Sequence, residues 1–271
     1  MTEHIDTRFY DSQEPFHAGW QKAMEWITTD ITAMANNLQP LPLKILEMGP
    51  FQGNSTQVLA NGLAQWQNQS PSNRQWQLTT VEYDSTAIPQ LSERFKNEPA
   101  VVTVNQSILE YIPQTKQQAF TATFALTHLP KAQRKQLFEH LKQHVLTPVG
   151  TLYIAEECFA EHNEQAPLAH QWAAIKHHFN VIADALFHKR FQLAFMEYQA
   201  YRSDGQGDFK TTVSKMIDEL EQAGFSVETR KMYPLKQNQA GQHDIAPFGY
   251  EHSGGVYVFK ACLQQPSKPE H

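Results

Sequence analysis

The 271-residue sequence predicts an α/β fold built on a doubly wound, mostly parallel sheet. Three observations carry that prediction. Apolar runs of strand length alternate with helical periodicity from Leu43 to Ala155, a strand–glycine–helix junction opens the series, and acids stand where strands end.

The elements follow in order. From Pro15 to Leu38, Trp20, Met24, Ile27, Ile31, Met34 and Leu38 recur at helical spacing and form an amphipathic face that needs a surface to pack on. Residues 1–40 are therefore read as a helical segment and a candidate lid. Leu43, Ile45 and Leu46 begin the first strand, which runs into Glu47-Met-Gly-Pro-Phe-Gln-Gly53. Gly49 and Gly53 bracket a tight turn where backbone can approach a ligand. Asn54 or Ser55 is placed to cap the next helix, with Val58, Leu59 and Leu63 on its apolar face. Trp76 to Val81 reads as a second strand ending in Glu82-Tyr83-Asp84, and an acid at a strand's carboxyl end is where a doubly wound sheet meets ribose hydroxyls.

Ile88 to Phe95 is a helix, Val101 to Val104 a third strand, and Asn105 to Glu110 the loop leaving it. A fourth strand spans Ala119 to Leu126. An amphipathic helix spans Lys131 to Val145, with Leu137, Phe138, Leu141 and Val145 on one face. The Pro148-Val-Gly150 turn precedes a fifth strand, Thr151 to Ala155, ending in Glu156-Glu157. Between Phe159 and Gln222 lies an insertion with Leu168, Trp172, Ile175, Phe179, Ile182 and Leu186 in one helical stripe, continued by Phe187, Phe191, Phe195 and Tyr198. It ends in Gly205-Gln-Gly-Asp-Phe-Lys210 and a helix carrying Val213, Met216, Ile217 and Leu220, which Thr211 or Thr212 can cap. Phe225 to Lys231 and Val256 to Cys262 are the last strands.

Several of these segments together resemble the class I S-adenosylmethionine (SAM) dependent methyltransferases from about Leu43 to the C-terminus. Glu47 to Gly53 resembles the family's acidic glycine loop, Glu82 its ribose acid, and Phe124-Ala-Leu-Thr-His-Leu-Pro130 its fourth-strand segment. Leu146-Thr-Pro-Val-Gly150 resembles its turn before the fifth strand, and Ala223-Gly-Phe225 also fits. A bacterial subset with a helical insertion carries segments similar to Gly207-Asp-Phe-Lys210 and Gly254-Gly-Val-Tyr-Val258.

The resemblance implies a Rossmann-like, seven-stranded, mostly parallel sheet with an antiparallel last strand, plus a helical cap. It divides the chain into a SAM-binding core (41–158), the cap (159–222) and strands completing the sheet (223–271). SAM is the implied cofactor, S-adenosylhomocysteine the product. Glu47, Gly49, Phe51, Gly53, Glu82, Tyr83, Ser107, Ile108 and Ala125 are the implied cofactor contacts, and His128 and Glu156 the base candidates. Asp208 and Lys210 fall at the implied rim of the acceptor pocket; the segment also reads as a glycine-rich turn ahead of a helix, and for Lys210 the reading as a solvated cation is preferred. Two departures stand out: Phe51 replaces the middle glycine, and Ser107 stands where the family often places an acid near adenine.

The rest of the sequence narrows the partners. A formal net charge of −6 with no Lys/Arg run argues against a nucleic-acid substrate. Two cysteines, Cys158 and Cys262, are too few for a disulfide framework. No transmembrane run is present, and Met1 to Tyr10 lacks a basic-then-apolar leader, so no membrane partner and a cytoplasmic location are expected. The implied acceptor is a small molecule, apolar or aromatic given the insertion's rings. Monomer and homodimer both stay open.

His170, His177, Asp184 and His188 share a helical face, but groups two turns apart on a helix lie about 10 Å apart, and no Cys-x-x-Cys or His-Glu-x-x-His motif is present. No metal is expected there, and His243, Asp244 and His252 are equally uninformative. Two other functions compete. A nicotinamide oxidoreductase needs Gly-x-Gly-x-x-Gly, which Gly49-x-x-x-Gly53 does not match. A SAM-binding scaffold without transfer activity stays open because of Phe51 and Ser107.

Overall fold

The computed structural model describes residues 15–38, 42–70, 74–159, 211–233 and 255–264, with 161, 166, 169, 170 and 173. The insertion's aromatic stripe, the Gly205–Lys210 segment, His177, Asp184 and His188, and the loop with His243, Asp244 and His252 lie outside the described residues.

Among the described residues, seven strands form one sheet: β1 (Leu43–Met48), β2 (Trp76–Glu82), β3 (Val101–Asn105), β4 (Gln117–Thr123), β5 (Leu146–Cys158), β6 (Phe225–Tyr233) and β7 (Gly255–Leu263). Their order is β3-β2-β1-β4-β5-β7-β6. β1 is parallel to both β2 and β4, β2 to β3, and β4 to β5, whereas β7 runs antiparallel between β5 and β6. This is the expected mostly parallel sheet with an antiparallel last strand.

Its inner strands are mostly buried on both faces because helices cover both faces, whereas the edge strand β6 exposes Ser226, Glu228 and Arg230. On one side lie α1 (Pro15–Ala35) and α2 (Asn54–Asn68). Met24, Ile27 and Ile31 of α1 are fully buried with Leu59 and Leu63 of α2 against Ile45, Leu78, Tyr153 and Val258. Burying each such isoleucine contributes about 1.5–3 kcal/mol. α1 therefore covers a sheet face along most of its length. α3 (Ile88–Arg94) lies on the same side and shares Val101 with this core. The opposite face is covered by α4 (Lys131–His140), its π-helical extension Leu141–Val145, and α5 (Val213–Gln222). Leu137, Phe138, Met216 and Leu220 there meet Leu46, Phe120, Ile154 and Phe259.

Local corrections have identifiable causes. The fourth strand stops at Thr123 instead of Leu126, because Phe124 turns to φ 53 and Leu126–His128 forms a 3₁₀ turn. The fifth strand begins at Leu146: Leu146 pairs with Gln117 and Thr151 with Ala119, so Pro148-Val-Gly150 is a bulge inside the strand. α2 is capped by neither Asn54 nor Ser55; its N-cap is Gly53 at φ 78. Thr212 does occupy the N-cap of α5 but makes no side-chain capping bond there; Glu161 Oε1 instead accepts the Ser214 N–H at 3.0 Å.

Candidate cofactor and acceptor site

Strand order reverses beside β1: β2 and β3 lie to one side, β4 and β5 to the other. Chain leaving β1 and β4 diverges at such a switch point and opens a crevice at the carboxyl ends. A cavity of about 1220 Å³ occupies that position.

The loop after β1 forms its floor. Gly49 (φ 62), Phe51 (φ 46) and Gly53 (φ 78) are all left-handed. The Gly49 N–H donates to the Val81 carbonyl at 2.9 Å, and the Gly53 N–H to Pro50 at 2.7 Å. A Cβ on Gly49 would stand 3.0 Å from that of Ala125. A phenylalanine in this conformation costs on the order of 1–3 kcal/mol. Two contacts hold it: its N–H donates to Glu82 Oε2 at 2.9 Å, and it packs on Ala87, Leu91 and Phe95. Arg94 fixes the outer side through the Gln52 carbonyl, 2.7 Å, and Asn54 Oδ1, 2.8 Å.

Glu82 joins the loop to the next wall. Its Oε1 accepts the Asp84 N–H at 2.8 Å, and Asn105 Nδ2 donates to the Glu82 carbonyl at 2.9 Å, tying the ends of β2 and β3 together. Beyond β3, the Ser107 carbonyl accepts the N–H groups of Glu110 and Tyr111, making a tight turn that sets Ser107 and Ile108 in the lining. Across the cavity, Phe124 leaves β4 with its N–H on the Ala155 carbonyl at 2.8 Å, and the 3₁₀ turn presents His128.

No protein-family model and no curated protein sequence matches the chain. Solved structures do. The trans-methyltransferase CalH, in complex with S-adenosylhomocysteine, matches with a TM-score of 0.56 at 15% identity, over 88% of this chain and 55% of that one. Magnesium protoporphyrin IX methyltransferase from Synechocystis PCC 6803, with bound S-adenosylhomocysteine, matches with a TM-score of 0.54 at 13% identity, over 95% and 92%. A SAM-dependent methyltransferase from Methanosarcina mazei gives 0.53 at 14% identity, over 86% and 98%. The fold is that of the class I SAM-dependent methyltransferases. The chain spans about half the length of several matched structures, CalH at 55% and others at 47% and 54%.

Within this methyltransferase fold, the cavity brings together Gly49, Phe51, Glu82, Tyr83, Ser107, Ile108, Ala125 and His128. Three residues named from the sequence fall outside its lining. Gly53 faces α3, where a Cβ would come within 2.7 Å of the Phe95 ring and 2.9 Å of Leu91. Its absent side chain serves helix packing. Glu47 is 1% exposed and accepts the Thr56 hydroxyl at 2.6 Å. Burial pushes its carboxyl up from 4.5 to about 7, with the Glu82 charge adding to the rise and the Ser55 and Thr56 hydroxyls opposing it. Glu156, also 1% exposed, accepts the Leu126 N–H at 2.7 Å.

Sequence reasoning passed over Trp20, Arg94, Asn105 and Phe124, all of which line the cavity. Trp20 belongs to the helical stripe and reads as core from spacing alone. Phe124 is placed by a left-handed backbone that no residue pattern announces.

Proposed function

We propose that the chain is a SAM-dependent methyltransferase that passes a methyl group directly to a small-molecule acceptor with an apolar or aromatic body. Glu82 supports this reading most. One carboxylate orders both the Phe51 and Asp84 amides while lining the cavity, and each of its oxygens has a further lone pair for a ribose hydroxyl. The bare Gly49 backbone opposite Ala125 suits the same ligand, since any side chain there would fill the approach.

SAM, when bound, supplies a sulfonium methyl open to in-line displacement and leaves as S-adenosylhomocysteine. The protein's own share is positioning. Glu82 orients the ribose, and the Ser107 hydroxyl and Ile108 border the adenine end. Trp20, Val58, Phe124 and Leu129 offer an apolar wall for the acceptor beside His128. His128 takes the acceptor's proton where the attacking atom carries one. Residues 159–222 supply the remainder of the acceptor pocket in this reading. His128 is preferred to Glu156 as the base in this reading, because His128 lines the cavity whereas Glu156 lies outside the lining and accepts a backbone amide.

Calorimetric titration tests the proposal. S-adenosylhomocysteine and SAM should bind with dissociation constants on the order of micromolar, while NAD gives no heat of binding. Tight NAD binding without a response to SAM would overturn it.

A further inference from the structure

Two buried charged side chains spend hydrogen bonds on the backbone of one short turn. Glu156, 1% exposed on β5, accepts the N–H of Leu126 at 2.7 Å. Arg134, 4% exposed on α4, donates from Nη1 to the carbonyl of Leu129 at 2.9 Å. These contacts grip the turn that carries His128 at its first and last residues. Arg134 is itself aimed by Glu219 of α5: Nε donates to Oε2 and Nη2 to Oε1, each at 2.8 Å. That fork matches guanidinium to carboxylate in one plane and leaves Nη1 directed at the turn.

The turn needs such support. It follows Phe124, whose left-handed backbone is strained, and a single 3₁₀ turn has few bonds of its own. Its internal bonds are His128 N–H to Ala125 at 3.3 Å and Leu129 N–H to Leu126 at 2.9 Å, the first of them long. Stability alone explains the charges poorly, since a buried ion pair is often matched or bettered by apolar side chains of similar volume. Backbone geometry is what an apolar replacement would not reproduce.

We propose that Arg134 and Glu156 are positioning residues that fix the Leu126–Leu129 turn and thereby the place of the His128 imidazole at the cavity wall. The catalytic meaning of that place rests on the methyltransferase reading; the clamp itself does not. The test is proton–carbon NMR of the full chain labelled in histidine, with the His128 ring signal assigned by its loss in His128→Gln. In Glu156→Leu, and in the double variant Arg134→Met/Glu219→Met, the signal should move. Glu156→Gln keeps an oxygen acceptor and should return the signal to its original position. A His128 signal that stays in place in folded Glu156→Leu and in the folded double variant overturns the proposal.

A measurement on the unaltered protein covers the case in which those variants do not fold. The Leu126 amide should exchange with solvent as slowly as the β4 amides, and rapid exchange there also overturns the clamp. S-adenosylhomocysteine titration of the same unaltered sample separates the two readings: no binding would remove the methyltransferase assignment and leave the NMR comparison valid.

Discussion

Glu47 is the penultimate residue of β1 and Glu82 the last of the adjacent parallel β2, and Glu47 is the one sealed from the cavity, with Thr56 donating to its carboxylate at 2.6 Å. Because its pKa rises from 4.5 to about 7 on folding, the folded chain holds a proton that the unfolded chain releases between those values. Stability from this group is complete below the unfolded value and is lost as pH climbs through about 7. Glu47→Gln keeps an oxygen for Thr56 and removes the titration. Denaturant unfolding at pH 5 and pH 8 should show the parent losing up to about 3 kcal/mol more than the variant; parallel losses would refute the assignment.

Glu82 calls for a different experiment. Glu82→Ala deletes the acceptor for two backbone amides and, in the proposed reading, for the ribose, so S-adenosylhomocysteine affinity should fall by about 1.5–3 kcal/mol. A folded variant that binds like the parent would show that the carboxylate does not meet the ligand. These two acids also mark what a sequence conveys at this scale. Spacing located both correctly at strand ends, but a carboxylate sealed against a helix and one facing a cavity have the same letter. Gly53 was ambiguous in the same way, since its missing side chain makes room for Phe95.

Among the elements, the insertion after β5 is anchored where it begins and ends. Phe159 donates its N–H to the Thr211 carbonyl at 2.9 Å and forms a parallel bridge with Thr212. Ends so close can be joined by a short linker at small entropic cost. Replacing residues 162–210 by a few glycines and serines should therefore leave S-adenosylhomocysteine affinity within about 0.5 kcal/mol of the parent, the scatter for separate sites. Calorimetry on the shortened chain decides, and a larger loss would place cofactor contacts within the removed stretch. Helical periodicity was the most legible signal here: α1, α2 and α4 stand where their stripes put them. Strand ends were less so. Pro148 and Gly150 carry the vocabulary of a turn, yet Gln117 still pairs with Leu146 before them, and pairing across a bulge cannot be read from one strand alone.

For the molecule as a whole, family resemblance supplied the seven strands and the antiparallel last one, but the order β3-β2-β1-β4-β5-β7-β6 was not legible, since alternating strands and helices imply a parallel sheet without fixing which strands adjoin. Locating the ligand crevice at the carboxyl ends followed from the fold class, and the cavity stands there. Among the described residues, no helix is long and apolar enough to cross a membrane. If the cavity takes the cofactor, binding is linked to global unfolding. S-adenosylhomocysteine at about a hundred times its dissociation constant should add about 2.7 kcal/mol, raising the melting midpoint by roughly 5–10 °C for a chain of this size. An equal concentration of NAD should leave the midpoint in place; the reverse pattern in a thermal melt would contradict the proposed ligand.

The reversed direction of β7 also bears on how such a protein can diversify. Gly255, at its start, pairs with Cys158 at the end of β5, and Val256 pairs with Tyr233 at the end of β6. The 234–254 connection thus departs from and returns to the same pole of the sheet as the 160–210 insertion. At the other pole the returns are short: β5 begins directly after Val145, and Ala223-Gly224 alone precede β6. Length can therefore be gained or lost by descent at one pole without shifting the register of any strand. A lineage built this way can rewrite those two connections while the sheet is inherited intact.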